Sequence, residues 1–226
     1  MLTLALLSPG PGSGKTTVLV NLGIGLQRKG YRILLATVGS DHIIHPWLGP
    51  IGQKAIGPRL IIETTSHNVD LFIMPDNNEY SSYLNIAEDF YDYILVDASS
   101  DLATVCKETI AANIIMTCIE AGLEDNRIFE LEIQLRQLSQ GARGIDLIVP
   151  SKARAGEWEA NALQLTVLAE YFGEDRIADF IPFCEAIHDL PGEKKSVWDL
   201  PQHYSNRKQA FDHLVNKVLD QYPPVR

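Results

Sequence analysis

The chain has 226 residues, 46% of them hydrophobic and 21% charged, with a formal net charge of -10. That balance suits a globular α/β chain and excludes a disordered or collagen-like one, and the negative average field works against broad binding to polyanions. Cys106, Cys118 and Cys184 fit neither a zinc pattern nor a disulfide framework, and no run reaches the ~18 apolar residues of a membrane span, so a reducing, cytoplasmic setting is expected.

The first element is the run "LTLALL" (2–7), short, apolar and followed by glycine and proline, which reads as a buried parallel strand. No basic region precedes it and Gly-Pro-Gly interrupts it early, so it does not read as a signal peptide. "SPGPGSGKTT" (8–17) then leads into a helix over 15–29, whose Val18, Leu22 and Leu26 recur at helical spacing and which stops at Gly30. "RILLAT" (32–37) is a second strand. Residues 42–69, rich in Gly and Pro, show weak periodicity and carry no predicted element. "DLFIMP" (70–75), "YDYILVD" (91–97), "NIIMTCI" (113–119) and "GIDLIV" (144–149) are the next four strands, and "ADFIP" (178–182) a short seventh. Helices are expected over 81–91, 123–140, 156–172 and 205–220.

This alternation predicts one α/β domain over 1–226, a mostly parallel central sheet with helices on both faces. Ligands of such sheets sit beyond the carboxyl ends of the strands. That edge collects residues 8–16, 37–41, 97–101, 118–122, 150–154 and 182–188.

A strand, a glycine loop, Gly-Lys-Thr and then a helix is the arrangement that cradles phosphates. Gly10, Gly12 and Gly14, with Pro11 and Ser13 between them, let main-chain N–H groups face an anion, and the helix adds its positive end. Lys15 is placed to reach the β/γ-phosphates, Thr16 to bind Mg²⁺ and Thr17 to touch the α-phosphate. Asp97, ending an apolar strand, can hold Mg²⁺ through water. Capping the next helix is the other use of an aspartate there.

The cramped "GSGKTT" resembles the deviant loop of the ParA/MinD family of P-loop ATPases. The resemblance continues through "NLGIGLQRKGYRILLATVGS", "YDYILVDASSDL", "AANIIMTCIEAGLEDNRIFEL" and the C-terminal "IPFCEAIHDLPGEKKSVWDLPQHYSNRKQAFDHL". It implies a SIMIBI-type P-loop NTPase that binds ATP and Mg²⁺, forms a homodimer around the nucleotide, and positions or segregates a cargo through an adaptor protein. Pro150, Ser151, Lys152, Pro182 and the segment from Phe183 to Ala186 would then surround the base. The resemblance implies ATP over GTP, and no N-K-x-D guanine signature follows the sixth strand. Relatives work on DNA or membrane. A membrane is not expected here, and nonspecific DNA, with the nucleoid association it would bring, rests only on dilute cations in "NRKQAFDHLVNK" (206–217), equally readable as a solvated helix face. The acidic run "EAGLEDNRIFELE" (120–132) reads as an exposed helix face or an adaptor site.

Three departures qualify the implied mechanism. The family's signature lysine would fall at Gly10, and its absence resembles those members of the carboxysome-positioning, McdA-like branch that lack the loop lysine. Lys152 on the rim after the sixth strand is the candidate to replace it across the dimer, and a solvated rim lysine is the alternative. The family's first switch aspartate aligns with Thr37 and its second with Gly39, leaving Asp41 as the nearest candidate catalytic carboxylate. Threonine cannot take a proton from water near pH 7, so slow hydrolysis is expected, since losing a positioned base costs ~10²–10⁴-fold. "DASSD" replaces the usual second switch, with Ser99, Ser100 and Asp101 as its candidates. A non-hydrolysing ATP-binding module and a small-molecule kinase or ligase with an acceptor pocket in 42–69 are the rival readings.

Overall fold

The computed structural model describes residues 1–38, 43–56, 60–74, 80–98, 112–122 and 126–224. Asp41, Gly39, Ser99, Ser100, Asp101 and Cys106 lie outside them.

Eight strands form one sheet: β1 (Leu2–Leu7), β2 (Ile33–Val38), β3 (Pro50–Ile56), β4 (Leu60–Thr65), β5 (Asp70–Met74), β6 (Tyr93–Asp97), β7 (Ile114–Glu120) and β8 (Leu147–Ser151). Their order is β3-β4-β5-β2-β6-β1-β7-β8, parallel from β5 to β8 and antiparallel where β4 meets β3 and β5. Because β2, β6, β1, β7 and β8 run the same way, Thr37, Asp97, the end of β1, Glu120 and Ser151 all arrive at one edge.

The helices are α1 (Lys15–Arg28), α2 (Ile44–Leu48), α3 (Tyr80–Ala87), α4 (Arg127–Leu138), α5 (Trp158–Phe172), α6 (Glu185–His188), α7 (Leu190–Glu193) and α8 (Ser205–Gln221). Alternating strand residues separate two faces. Leu4, Leu6, Ile33 and Leu35 pack with Leu19, Leu22 and Leu26 of α1 and Phe211, Leu214 and Val218 of α8. On the other face Leu7, Ile115 and Ile148 pack with Leu131 and Leu135 of α4 and Leu168 and Phe172 of α5. Leu34, Ala36 and Ile94 pack with Ala87 of α3. Asn21 ties α1 to the C-terminal segment: its buried amide accepts from Val197 N–H at 2.7 Å and donates to Thr17 O at 2.9 Å.

The mostly parallel sheet with helices on both faces is the architecture expected from the sequence, with three corrections. Residues 42–69 carry a short helix and the β3–β4 hairpin. The seventh strand expected over 178–182 is absent as a strand. The chain here makes two isolated bridges: Ile177 with Ile148, where Ala178 N–H donates to Ile148 O at 2.8 Å, and Pro182 with Ala153, whose N–H donates to Ile181 O at 3.1 Å and whose carbonyl accepts from Phe183 N–H at 2.9 Å. Pro150 and Pro182 have no N–H with which to continue a ladder. The sixth strand begins at Leu147 instead of Gly144, because Ile145 N–H donates to buried Glu132 of α4 at 2.6 Å. Among the described residues, no helix is long and apolar enough to cross a membrane.

Candidate functional site

The loop from Ser8 to Gly14 leaves the end of β1 and enters α1. Gly12 and Gly14 have φ of 82° and 81°, the left-handed region that a side chain disfavours. Three loop carbonyls are held by side-chain donors. Gly10 O accepts from the Ser8 hydroxyl, and Gly12 O from the Lys152 ammonium. Ser13 O accepts from both the Ser151 hydroxyl and, at 3.1 Å, the Cys118 thiol. Burial pushes the Cys118 thiol up to about 12, so it stays protonated and able to donate. The amides of Gly12, Ser13 and Gly14 donate to no group among the described residues. With the first-turn amides of α1, they leave a ring of donors suited to an anion.

Two side chains of α1 meet β6. The Lys15 ammonium is 2.5 Å from Asp97 Oδ1 and donates to Ala98 O. The Thr16 hydroxyl donates to Asp97 Oδ2 at 3.0 Å. A hydroxyl beside a carboxylate is an oxygen donor pair suited to a hard divalent cation. The Ser13 hydroxyl is buried and has no hydrogen-bond partner among the described residues. These features fit a phosphate chain with Mg²⁺: amides and Lys15 could hold phosphate oxygens, and Thr16 and Asp97 the metal.

The sequence-predicted residues are therefore brought together from Gly10 to Thr17, with Asp97 and Lys152 against them. Thr37 is buried in β2, in register with Asp97. The Lys152 ammonium, which donates to Gly12 O, also lies 3.7 Å from Glu120. Pro182 bridges to Ala153, and Phe183 sits under the Arg154 guanidinium, 5.2 Å from its ring centroid. Arg154, Trp158, Asn161, Pro182, Phe183 and Arg207 line an open cleft of about 750 Å³, and Pro182 and Phe183 are two of the residues that the family resemblance implies around a base.

The acidic run from 120 to 132 is not one exposed helix face. Glu120 ends β7 and pairs with Lys152 and, at 4.0 Å, Arg154, while Glu132 is buried against Arg136 at 2.6 Å. The sequence reading missed Ser151, Cys118 and Glu120 as supports of the loop. It also missed Arg127, whose guanidinium lies over Gly10. For Cys118, Glu120 and Ser151 the signal was their place at the carboxyl ends of strands that reach the ligand edge, whereas Arg127 lies outside the edge the sequence marks.

No family model matches the chain, and no curated protein matches it. Solved structures do. MinD from Pyrococcus horikoshii OT3, complexed with Mg-ADP, superposes with a TM-score of 0.79 at 18% identity, over 98% of this chain and 97% of that one. Apo McdA from Cyanothece gives 0.78 at 16% identity, over 96% and 99%. Cobyrinic acid a,c-diamide synthase from Mycobacterium smegmatis, with bound ADP and magnesium, gives 0.71 at 14% identity, over 98% and 95%. At such identities the likeness establishes the fold. The chain has the P-loop NTPase fold of the MinD and ParA-type ATPases.

Proposed function

We propose that residues 1–226 act as a single ATPase-fold domain, a switch that binds ATP and Mg²⁺, dimerises around the nucleotide and positions a cargo through an adaptor protein. The observation that carries the reading is the Ser8–Gly14 loop, with three carbonyls bonded by side chains and its amides left for an anion, beside the Thr16–Asp97 oxygen pair. Lys15 neutralises phosphate charge, the loop amides meet charge developing on a transferring phosphoryl group, and Thr16 and Asp97 hold the metal. Held by Thr16 and Asp97, Mg²⁺ would supply positive charge that offsets the phosphates. The positioning role is supported by the family resemblance along the chain and by the shared fold with MinD and McdA.

Hydrolysis on this reading is slow. Thr37 in β2, beside Asp97, can hold a water but not take its proton, which leaves Asp41 as the carboxylate proposed to serve. The rival without turnover is a nucleotide-binding scaffold, and the buried Thr37 hydroxyl is what favours it. Calorimetry with ATP and Mg²⁺ tests the binding step: absence of heat from folded protein sinks the proposal. Single-turnover chemistry then separates the two forms. Product formed slowly, and more slowly still in Asp41→Asn, supports the switch. Tight binding with no product over hours supports the scaffold.

A further inference from the structure

We propose that Trp158 and Arg207 grip the base of the nucleotide in the cleft between the start of α5 and the start of α8, the indole as a plate on which the base stacks and the guanidinium as a donor to its ring acceptors. The proposal rests on the nucleotide reading above and adds to it two helical residues that lie outside the strand-end loops. Trp158 opens α5 and is 67% exposed, although an indole is among the largest apolar surfaces a fold can bury. Trp47, by contrast, is fully buried. Phe183, which is also exposed, lines the same cleft, so two aromatic rings face a space of about 750 Å³. That lies within the roughly 300–1,000 Å³ of small-molecule sites.

Charge in the cleft points the same way. The chain carries a net charge of -10, yet Arg154 and Arg207 line the cleft and no Asp or Glu does. Arg154 is answered by Glu157 at 3.6 Å and Glu120 at 4.0 Å. Arg207, half-buried in the first turn of α8, forms no ion pair among the described residues. Its Nη1 donates to Asn206 Oδ1 at 2.7 Å, and its Nε is buried with no hydrogen-bond partner. A guanidinium partly withdrawn from water, with donors unmet, is costly until an acceptor arrives. The cleft also adjoins the phosphate loop. Lys152 donates to Gly12 O, and the next residue, Ala153, begins the cleft wall and bridges to Pro182. Nucleobases match both features, offering a π-face to an indole and in-plane ring acceptors to a guanidinium.

The test is calorimetric titration of wild type, Trp158→Ala and Arg207→Gln with ATP·Mg²⁺ and with inorganic tripolyphosphate·Mg²⁺, which has the phosphates but neither base nor sugar. ATP binding should weaken about 10-fold in Trp158→Ala, from loss of a base–aromatic stack, and about 10-fold in Arg207→Gln, from loss of a charge-assisted contact. Tripolyphosphate affinity should stay within twofold of wild type in both, which a general loosening of the fold would not allow. Tryptophan fluorescence gives a second readout. ATP should quench wild type and tripolyphosphate should not. Trp158→Phe, which keeps a ring to stack on, should retain most of the affinity and lose the quench. Trp158 is exposed, so its variants keep the fold even should Arg207→Gln lose it. ATP affinity within twofold of wild type in either variant, equal losses for the two ligands, or a quench of full size in Trp158→Phe would overturn the assignment. Wild type that binds neither ligand is a different failure: it sinks the nucleotide reading, and the base assignment with it.

Discussion

The Lys15 ammonium lies 2.5 Å from one oxygen of Asp97, and the next residue, Thr16, donates to the other oxygen at 3.0 Å. The cation that would meet phosphate and the two groups that would meet Mg²⁺ thus satisfy one another. A nucleotide arriving with its metal has to part Lys15 from Asp97, giving each a partner of opposite charge.

Asp97→Asn tests that exchange. It removes the carboxylate charge from the proposed metal site and also frees Lys15. Nucleotide binding in EDTA should be unchanged or stronger, while the gain on adding Mg²⁺ should shrink by about 10-fold or more, from loss of a charge-assisted contact. Titrations with and without the metal read both. An undiminished Mg²⁺ effect would remove Asp97 from the metal site.

Lys15→Ala should lose ATP binding to below detection and, with it, any ATP-induced dimer. Light scattering with and without nucleotide is the measurement. Dimers that still form on adding ATP would show that the loop lysine does not link binding to assembly.

Much of this site is legible in the sequence because it is local. Gly10 to Thr17 spell their own turn, and Asp97 ends an apolar strand whose parallel pairing with β1 brings it to the loop. What was not legible depends on distances between elements. Arg127 reaches Gly10, and Ser151 and Cys118 reach Ser13 O, through neighbouring strands, and no spacing in the chain encodes that. The β3–β4 hairpin escaped because β3 is an edge strand with Ile51 to Ala55 all exposed, so it shows no apolar alternation. The segment 178–182 misled for the opposite reason: its apolar residues touch the sheet, but prolines stop the ladder.

The packing of α1 on α8 gives a prediction independent of any ligand. A Cβ on Gly25 would come within 2.5 Å of Val215 Cγ2 and 2.9 Å of the Trp198 ring. Gly25→Ala gains helix propensity of about 1 kcal/mol but overpacks the core, which costs about 1–3 kcal/mol. Overpacking should win, because Val215 is fully buried. Urea unfolding should show a lower midpoint for the variant. A raised midpoint would mean that the two helices can separate cheaply.

Alkaline pH should weaken the fold through Cys118. Burial holds its thiol up to about 12, whereas an unfolded thiol titrates near its ordinary value of 9.0. Between those values the unfolded chain has lost the proton and the folded one keeps it. Stability present below about pH 9 is therefore lost as pH rises, by up to about 1.4 kcal/mol per pH unit for this one group. Burial raises Tyr91 and Tyr93 too, which extends the decline to higher pH. Unfolding at pH 8, 9 and 10 measures the slope. Cys118→Ser keeps a donor for Ser13 O and should flatten it, and an unchanged slope would assign the loss elsewhere.

Lys152 carries the last prediction, because its backbone and its side chain pull in opposite directions. Its φ is 58°, a conformation that costs a residue with a Cβ about 1–2 kcal/mol relative to its right-handed alternative. What holds it there is the ammonium, which donates to Gly12 O and lies 3.7 Å from Glu120. Lys152→Gly removes the strain together with the contact to the loop. Chemical denaturation should show stability unchanged or raised by up to about 1 kcal/mol. Calorimetry on the same protein, dilute enough to be monomeric, should show ATP affinity reduced by roughly 10-fold, as one charge-assisted contact to the loop is lost. Lys152→Glu, which puts an acid beside the phosphates, should do worse in both binding and dimerisation. A lysine that served only a partner subunit's nucleotide would leave monomer binding untouched in both variants, and that result would move its role from its own loop to the dimer contact.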